Sequence, residues 1–322
     1  MRHKLFIGLS LFCLLLCSCG GQENTPSSSS PPGQTSTSST PSSQVSSDTA
    51  PTAGTRGSTP VSYIGSADGL ETYGNESVTI DTSHKEDGYV MVSYTGSSEK
   101  VKFQLTGPDE VTYTYNLTSG YETFPLTAGN GNYTMGVFEN IEGTSYSTLF
   151  SQDIEVTITD ELKPFLYANQ YVNFGPDSTT AKTGEELAFS ANSDLEVVEN
   201  VYNYIISNFT YDYDKAKTVP KGYLPVVDEI LTSKTGICFD YAAVMATMLR
   251  TQNIPTRLEV GYMQEEYHAW ISIYLNDTGW INGIIEFDGT DWKLMDPTFA
   301  SSSKKPQDFI METDKYMTKY VY

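Results

Sequence analysis

Between residues 61 and about 160, apolar and polar side chains alternate with a period of two. GYVMVSYTG, EKVKFQLTG, VTYTYNLT, GNYTMGVFEN and QDIEVTIT carry the pattern, with Gly, Asn, Asp and Ser between them. Successive strand side chains point to opposite faces, so each stretch reads as a half-buried strand. Short strands at regular spacing predict an all-β sandwich of about 100 residues. AGNGNYT fits a hairpin turn, because Asn and Gly tolerate positive φ. From residue 161 the period changes. Thr183 with Glu186 and Ser193 with Glu196 have capping-box spacing, and Leu195, Val198, Tyr202, Ile205 and Phe209 then recur at helical intervals. A helix is predicted after residue 238, with Tyr241, Val244, Met248 and Leu249 as its buried stripe and NIP at 253–255 as its stop. Strands follow in TRLEVGYM, YHAWISIYL, GWINGIIEF and, after the Asp288–Gly289 turn, DWKLMDPTF. Helices followed by an antiparallel sheet make the second half α+β.

Composition changes the picture at the N-terminus. Arg2, His3 and Lys4 precede an apolar run from Leu5 to Leu16, the layout of a signal peptide too short to span a bilayer comfortably. LCSC, Leu16 to Cys19, resembles a bacterial lipobox, which implies cleavage before Cys19 and a lipid on that thiol; ordinary secretion with cleavage nearby is the alternative. Residues 20–60 carry almost no large apolar side chains and are expected to be a disordered Ser/Thr/Pro tether. The expected organisation is a signal peptide 1–19, linker 20–60, immunoglobulin-like β-sandwich 61–160 and α+β domain 161–322. The expected location is the outer face of a bacterial membrane, reached through the lipid.

The net charge of -21 argues against nucleic acid or anionic lipid as partners, since both require clustered Lys and Arg. DTSHKEDG and PDSTT lack the spacing of a calcium loop, and no metal or cofactor is expected. His84, in the first of these, reads as solvated surface.

Of four cysteines, Cys13, Cys17 and Cys19 lie in the leader, which leaves Cys238 without a disulfide partner in the folded part. At the start of a helix, unpaired N–H groups favour negative charge, which suits a nucleophilic thiol; a buried inert cysteine is the plainer reading. His268 is the one histidine of the second half. On its strand Ala269, Ile271, Ile273 and Leu275 share one face, and His268 lies on the other with Trp270, Ser272 and Tyr274. An imidazole there can act as a general base. Asp296, at the end of WKLMD, could accept its N–H, although a strand-end Asp before Pro is often only a turn former.

GICFDYAAVMATMLRTQNIPTRLEVGY, YHAWI and WKLMDPT together resemble the transglutaminase-like core of the papain-like superfamily. Gly236, Cys238, Asp240, Tyr241, Ala242, Ile254, Pro255, His268, Ala269, Trp270, Asp296, Pro297 and Thr298 match its pattern, with Asn253 in place of the usual Gly. The spacings agree: 30 residues from Cys238 to His268 and 28 from His268 to Asp296. The resemblance implies an α+β papain-like fold, a helical half packed on an antiparallel sheet. It makes Cys238 the nucleophile, His268 the base and Asp296 the orienting carboxylate. One oxyanion donor is then the Cys238 backbone N–H, with Tyr211 as candidate for a second. Trp270 and Asp240 are candidates for a substrate groove. The implied chemistry is acyl transfer from a Gln carboxamide or peptide bond through a thioester, on protein or peptide substrates. A cysteine peptidase acting on extracellular or cell-wall peptides and a non-catalytic surface scaffold that binds cell-wall or extracellular ligands are the alternatives.

Overall fold

A computed structural model describes residues 51–322 apart from Ser119, Gly283, 288–291 and 296–315; for residue 282 and the strands 284–287 and 292–295 it describes the backbone. The signal peptide, Cys19, most of the linker and Asp296 therefore lie outside the described residues.

The first eight strands are β1 (Thr72–Gly74), β2 (Val78–Asp81), β3 (Tyr89–Tyr94), β4 (Val101–Thr106), β5 (Thr112–Leu117), β6 (Gly120–Pro125), β7 (Gly131–Glu142) and β8 (Ser145–Val156). They form two antiparallel sheets, β1-β2-β3-β6 and β5-β4-β7-β8. The alternation expected of a half-buried strand is clean in β5, where Tyr113, Tyr115 and Leu117 are buried and their neighbours exposed. The sheets meet through rings such as Phe103 on β4 and Phe124 on β6, centroids 4.6 Å apart. In β3 the alternation fails, since all six residues are buried. The strap around Gly65 and Ser66 lies over its second face, and Tyr89 packs there on Tyr167. His84, expected in solvent, is instead held between Asp68 (2.9 Å) and Asp87 (3.1 Å) and stacks on Tyr89.

The linker expected to run free to residue 60 is docked from Gly54. Its N–H donates to Phe189 O (2.8 Å), Arg56 pairs with Asp194 (2.5 Å), and Val61 N–H donates to Thr251 O (2.8 Å). A Cβ on Gly54 would stand 2.0 Å from Ala191 O, so only glycine can lie this close. Composition reports apolar content, and this docking rests on backbone bonds, the Arg56–Asp194 ion pair and polar side-chain bonds such as those between Arg56 and Gln252.

The second half contains α1 (Thr179–Ala188), α2 (Asp194–Asn208), β9 (Thr210–Tyr211), α3 (Tyr213–Thr218), α4 (Val227–Ser233), β10 (Thr235–Gly236) and α5 (Cys238–Arg250). It continues with β11 (Thr256–Met263), β12 (Glu266–Leu275), β13 (Gly279–Asn282), β14 (Ile284–Phe287), β15 (Trp292–Met295) and β16 (Tyr316–Val321). Ser193 caps α2 as expected, accepting from Glu196 N–H (3.2 Å). Thr183 does not cap α1. It lies within the helix, its hydroxyl donating to Thr179 O (3.0 Å), and the cap is Ser178. Asp228 of α4 overrides the local signal there, accepting from Ser178, Thr179 and Thr180.

α5 is the centre of this half. Residues 240–250 are all buried, with α1, α2 and α4 packed around it and β11 and β12 on its other side. It ends before Asn253, which takes the left-handed conformation (φ 58°) that Asn tolerates. The sheet runs β13-β12-β11-β16, antiparallel throughout. GWINGIIEF is two strands rather than one, because β14 pairs with β15. Arg250 is fully buried at the end of α5 and donates to the carbonyls of Tyr167, Thr256 and Tyr322. Desolvation pulls its guanidinium down to about 9, which leaves it charged at neutral pH. Tyr322 packs against Tyr113, Tyr115 and Tyr171, and Val321 exchanges bonds with Tyr113 and Thr127. These contacts join the first eight strands to the second half, and residues from both belong to one hydrophobic core.

Candidate active site

The start of α5 is built from three segments. β9 and β10 pair in parallel, which sets Tyr211 beside Gly236, and Asp212 N–H donates to Gly236 O (2.8 Å). Ile237 is extended and offers no side-chain acceptor to cap the helix. Asp240 supplies the return half of a capping box, its Oδ2 accepting from Ile237 N–H (2.9 Å). The same carboxylate takes the Lys215 ammonium (2.5 Å) and the Tyr223 hydroxyl (2.7 Å), and Lys215 also reaches the Tyr223 oxygen (2.7 Å). Asp240 is fully buried and turned into this network. That corrects the expectation that it lines a groove, since a carboxylate with three donors around it has no face left for a substrate.

Cys238 is the first residue of α5, half-buried and reduced. Tyr211 stands next to it. Burial raises the Tyr211 phenol well above its ordinary value; the charge of Cys238 adds to this, and a hydrogen bond from the Cys238 backbone acts against it. The phenol oxygen and that backbone group therefore lie close together at the start of α5. Tyr213 packs edge-on against Tyr211 (4.9 Å) and is largely exposed. From the sheet, Tyr267 is 60% exposed, yet partial desolvation and the charges of nearby tyrosines and Cys238 raise its phenol. Glu266 acts on Tyr211. The mouth around the thiol is therefore aromatic, with a carboxylate at its edge.

His268 follows Tyr267 on β12, paired opposite Gly261 of β11. It is 6% exposed, and the face it shares with Trp270 and Ser272 is buried rather than solvated. Glu259 lies buried on this face and accepts from Ser272 (2.5 Å) and Thr318 of β16 (2.7 Å). Trp270 is 4% exposed, packed against Tyr316 (5.0 Å) and 6.3 Å from the His268 ring. It too is corrected from groove lining to packing: the Tyr316 ring, at the start of β16, packs on the side that alternation alone leaves open. Among the predicted residues, then, Cys238 and Tyr211 are brought together. His268 lies on the strand against which α5 packs, and Asp296 is outside the described residues. Lys215 and Tyr223 were not foreseen. The one signal for them is the pair Gly236 and Asp240, whose crowding implies a buried carboxylate in need of donors. Among the described residues no three His, Cys, Asp or Glu are placed to hold a metal ion.

The sequence profile of the transglutaminase-like superfamily matches residues 181–283, the stretch that runs from α1 to the end of β13. The uncharacterized protein YebA of Bacillus subtilis is 26% identical over 201 residues, covering 54% of this chain and 25% of YebA. A UPF0252 protein of Pyrococcus horikoshii is 35% identical over 80 residues, covering 24% of this chain and 23% of its own. The chain thus spans about a quarter of the length of these relatives. Among solved structures, the periplasmic domain of TgpA from Pseudomonas aeruginosa aligns over 72% of this chain and 76% of its own, at 15% identity and a TM-score of 0.33. Red sea bream transglutaminase aligns over 65% and 48%, at 16% identity and a TM-score of 0.26.

Proposed function

We propose that the protein is a thiol acyl-transfer enzyme, held by an N-terminal lipid at the outer face of a bacterial membrane, with Cys238 as nucleophile and protein or peptide carboxamides as substrates. The observation that carries this reading is Cys238 at the first position of α5, with Tyr211 set beside Gly236 by the pairing of β9 and β10. A thiolate at that position attacks the carboxamide carbon. His268 takes the thiol proton and returns it to the departing amine, while Asp296 holds the ring. As the carbonyl oxygen gains charge, the Cys238 N–H and the Tyr211 hydroxyl donate to it. The resulting thioester is released by an incoming amine, which yields an isopeptide, or by water, which yields the acid.

The test is incubation with a Gln-containing peptide and a labelled primary amine, alongside the Cys238→Ser and His268→Ala variants. The reading expects peptide-linked label or released ammonia from the wild type, with a drop of about 10³-fold or more in each variant. Ammonia without label makes the enzyme a hydrolase. Equal traces from wild type and Cys238→Ser would leave a surface scaffold.

A further inference from the structure

Asp240 sets an electrostatic problem. A negative carboxylate in the first turn of α5, two residues beyond Cys238, opposes a thiolate there, while the helix N-terminus favours one. Hydrogen bonding alone does not require a cation at Asp240: Ile237 N–H already serves Oδ2 and the Tyr223 hydroxyl serves Oδ1. Lys215 adds the positive charge. Its ammonium is 2.5 Å from Oδ2 and lies 4.4 Å from the centre of the Tyr223 ring. Desolvation works to discharge this lysine, but its bonds to Asp240 and Tyr223 outweigh that and raise it above its ordinary value. Lys215 also sits in α3, the helix that begins at Tyr213, so it fastens to the start of α5 the segment that carries Tyr211.

We propose that Lys215 is a positioning residue for Cys238: through Asp240 and Tyr223 it cancels the carboxylate beside the thiol and clamps the Tyr211 segment against the start of α5. This rests on the reading of Cys238 as nucleophile. Other groups around the thiol are Tyr211 and Tyr267, whose phenols feel the Cys238 charge, Glu266, which acts on Tyr211, and His268 on β12. Substitution at Lys215 removes none of these groups, and among them only Tyr211 belongs to the segment that Lys215 clamps.

The experiment is the rate of iodoacetamide alkylation of the full chain against pH, for wild type, Lys215→Met, Lys215→Arg and Asp240→Asn. The midpoint for Lys215→Met is expected about one pH unit higher, with alkylation at pH 7 about tenfold slower. Arginine keeps the charge and is expected to return the rate to within about twofold of wild type. Asp240→Asn removes the negative partner and leaves the cation, so its midpoint is expected to move the opposite way. That reversal of sign is something a merely structural role does not produce, and it decides the matter if Lys215→Met fails to fold. A folded Lys215→Met whose midpoint lies within about 0.2 unit of wild type overturns the proposal, as does an Asp240→Asn midpoint that rises. A wild-type thiol alkylated no faster than glutathione counts against the enzyme reading, whereas the difference between the profiles decides the role of Lys215.

Discussion

Gly236 and Asp240 compete for the same space. A Cβ built on Gly236 would stand 2.6 Å from the Asp240 Cβ and 2.8 Å from its Oδ2. The glycine two residues before the thiol is therefore set by the carboxylate two residues after it, and that carboxylate closes the first turn of α5.

Gly236→Ala should force Asp240 away from Ile237 N–H and lower stability by about 1–3 kcal/mol, the usual cost of overpacking. Urea denaturation measures it. An alanine variant with an unchanged midpoint would show that the carboxylate has room to move.

Tyr211→Phe removes one hydroxyl beside the Cys238 backbone. If it donates to the oxyanion, kcat should fall about a hundredfold, while alkylation of Cys238, which forms no oxyanion, stays near the wild-type rate. Equal losses in both assays would assign Tyr211 to shaping the thiol instead.

Arg250→Met leaves buried carbonyls of Tyr167 and Thr256 without their donors. At about 1–3 kcal/mol for each orphaned group, the loss should reach at least about 2 kcal/mol in the unfolding free energy. A smaller loss would mean that water reaches these carbonyls.

His84 gives stability a pH dependence. Burial works to lower its imidazole, but the bonds to Asp87 and Asp68 prevail and raise it. A basic group raised on folding stabilises fully below its unfolded value of about 6.5, and that contribution is lost as pH rises through the folded value. The urea midpoint should therefore fall as pH rises above about 6.5, and His84→Gln should flatten this slope. A wild-type midpoint that climbs there contradicts the assignment.

Local pattern was enough for elements whose partners are also local. β5 and α2 could be read because alternation and a helical stripe express one buried face each, and Ser193 could be read as a cap because its bond closes within three residues. Thr183 misled for the opposite reason: the α1 cap is set by Asp228, about fifty residues away. The second buried face of β3 and the buried surroundings of His268 depend on a strap and on β16, which return from distant parts of the chain. Trp270 and Asp240 were legible as members of a site but not in their roles, since a motif records which residues occur and not which way they are turned. Lys215 and Tyr223 fall in a stretch with no periodicity, so only their meeting at Asp240 gives them meaning.

The docked strap has a mechanical consequence. Gly54, Arg56 and Val61 bond to residues at the ends of α1, α2 and α5 before the chain enters the first sheet. Tension applied to the chain ahead of residue 54 thus reaches Phe189, Asp194 and Thr251 in turn, and the eight-stranded portion is loaded only after those attachments tear. A leash fixed in this way would transmit force to the scaffold of the thiol rather than to the β-strands that follow it in sequence.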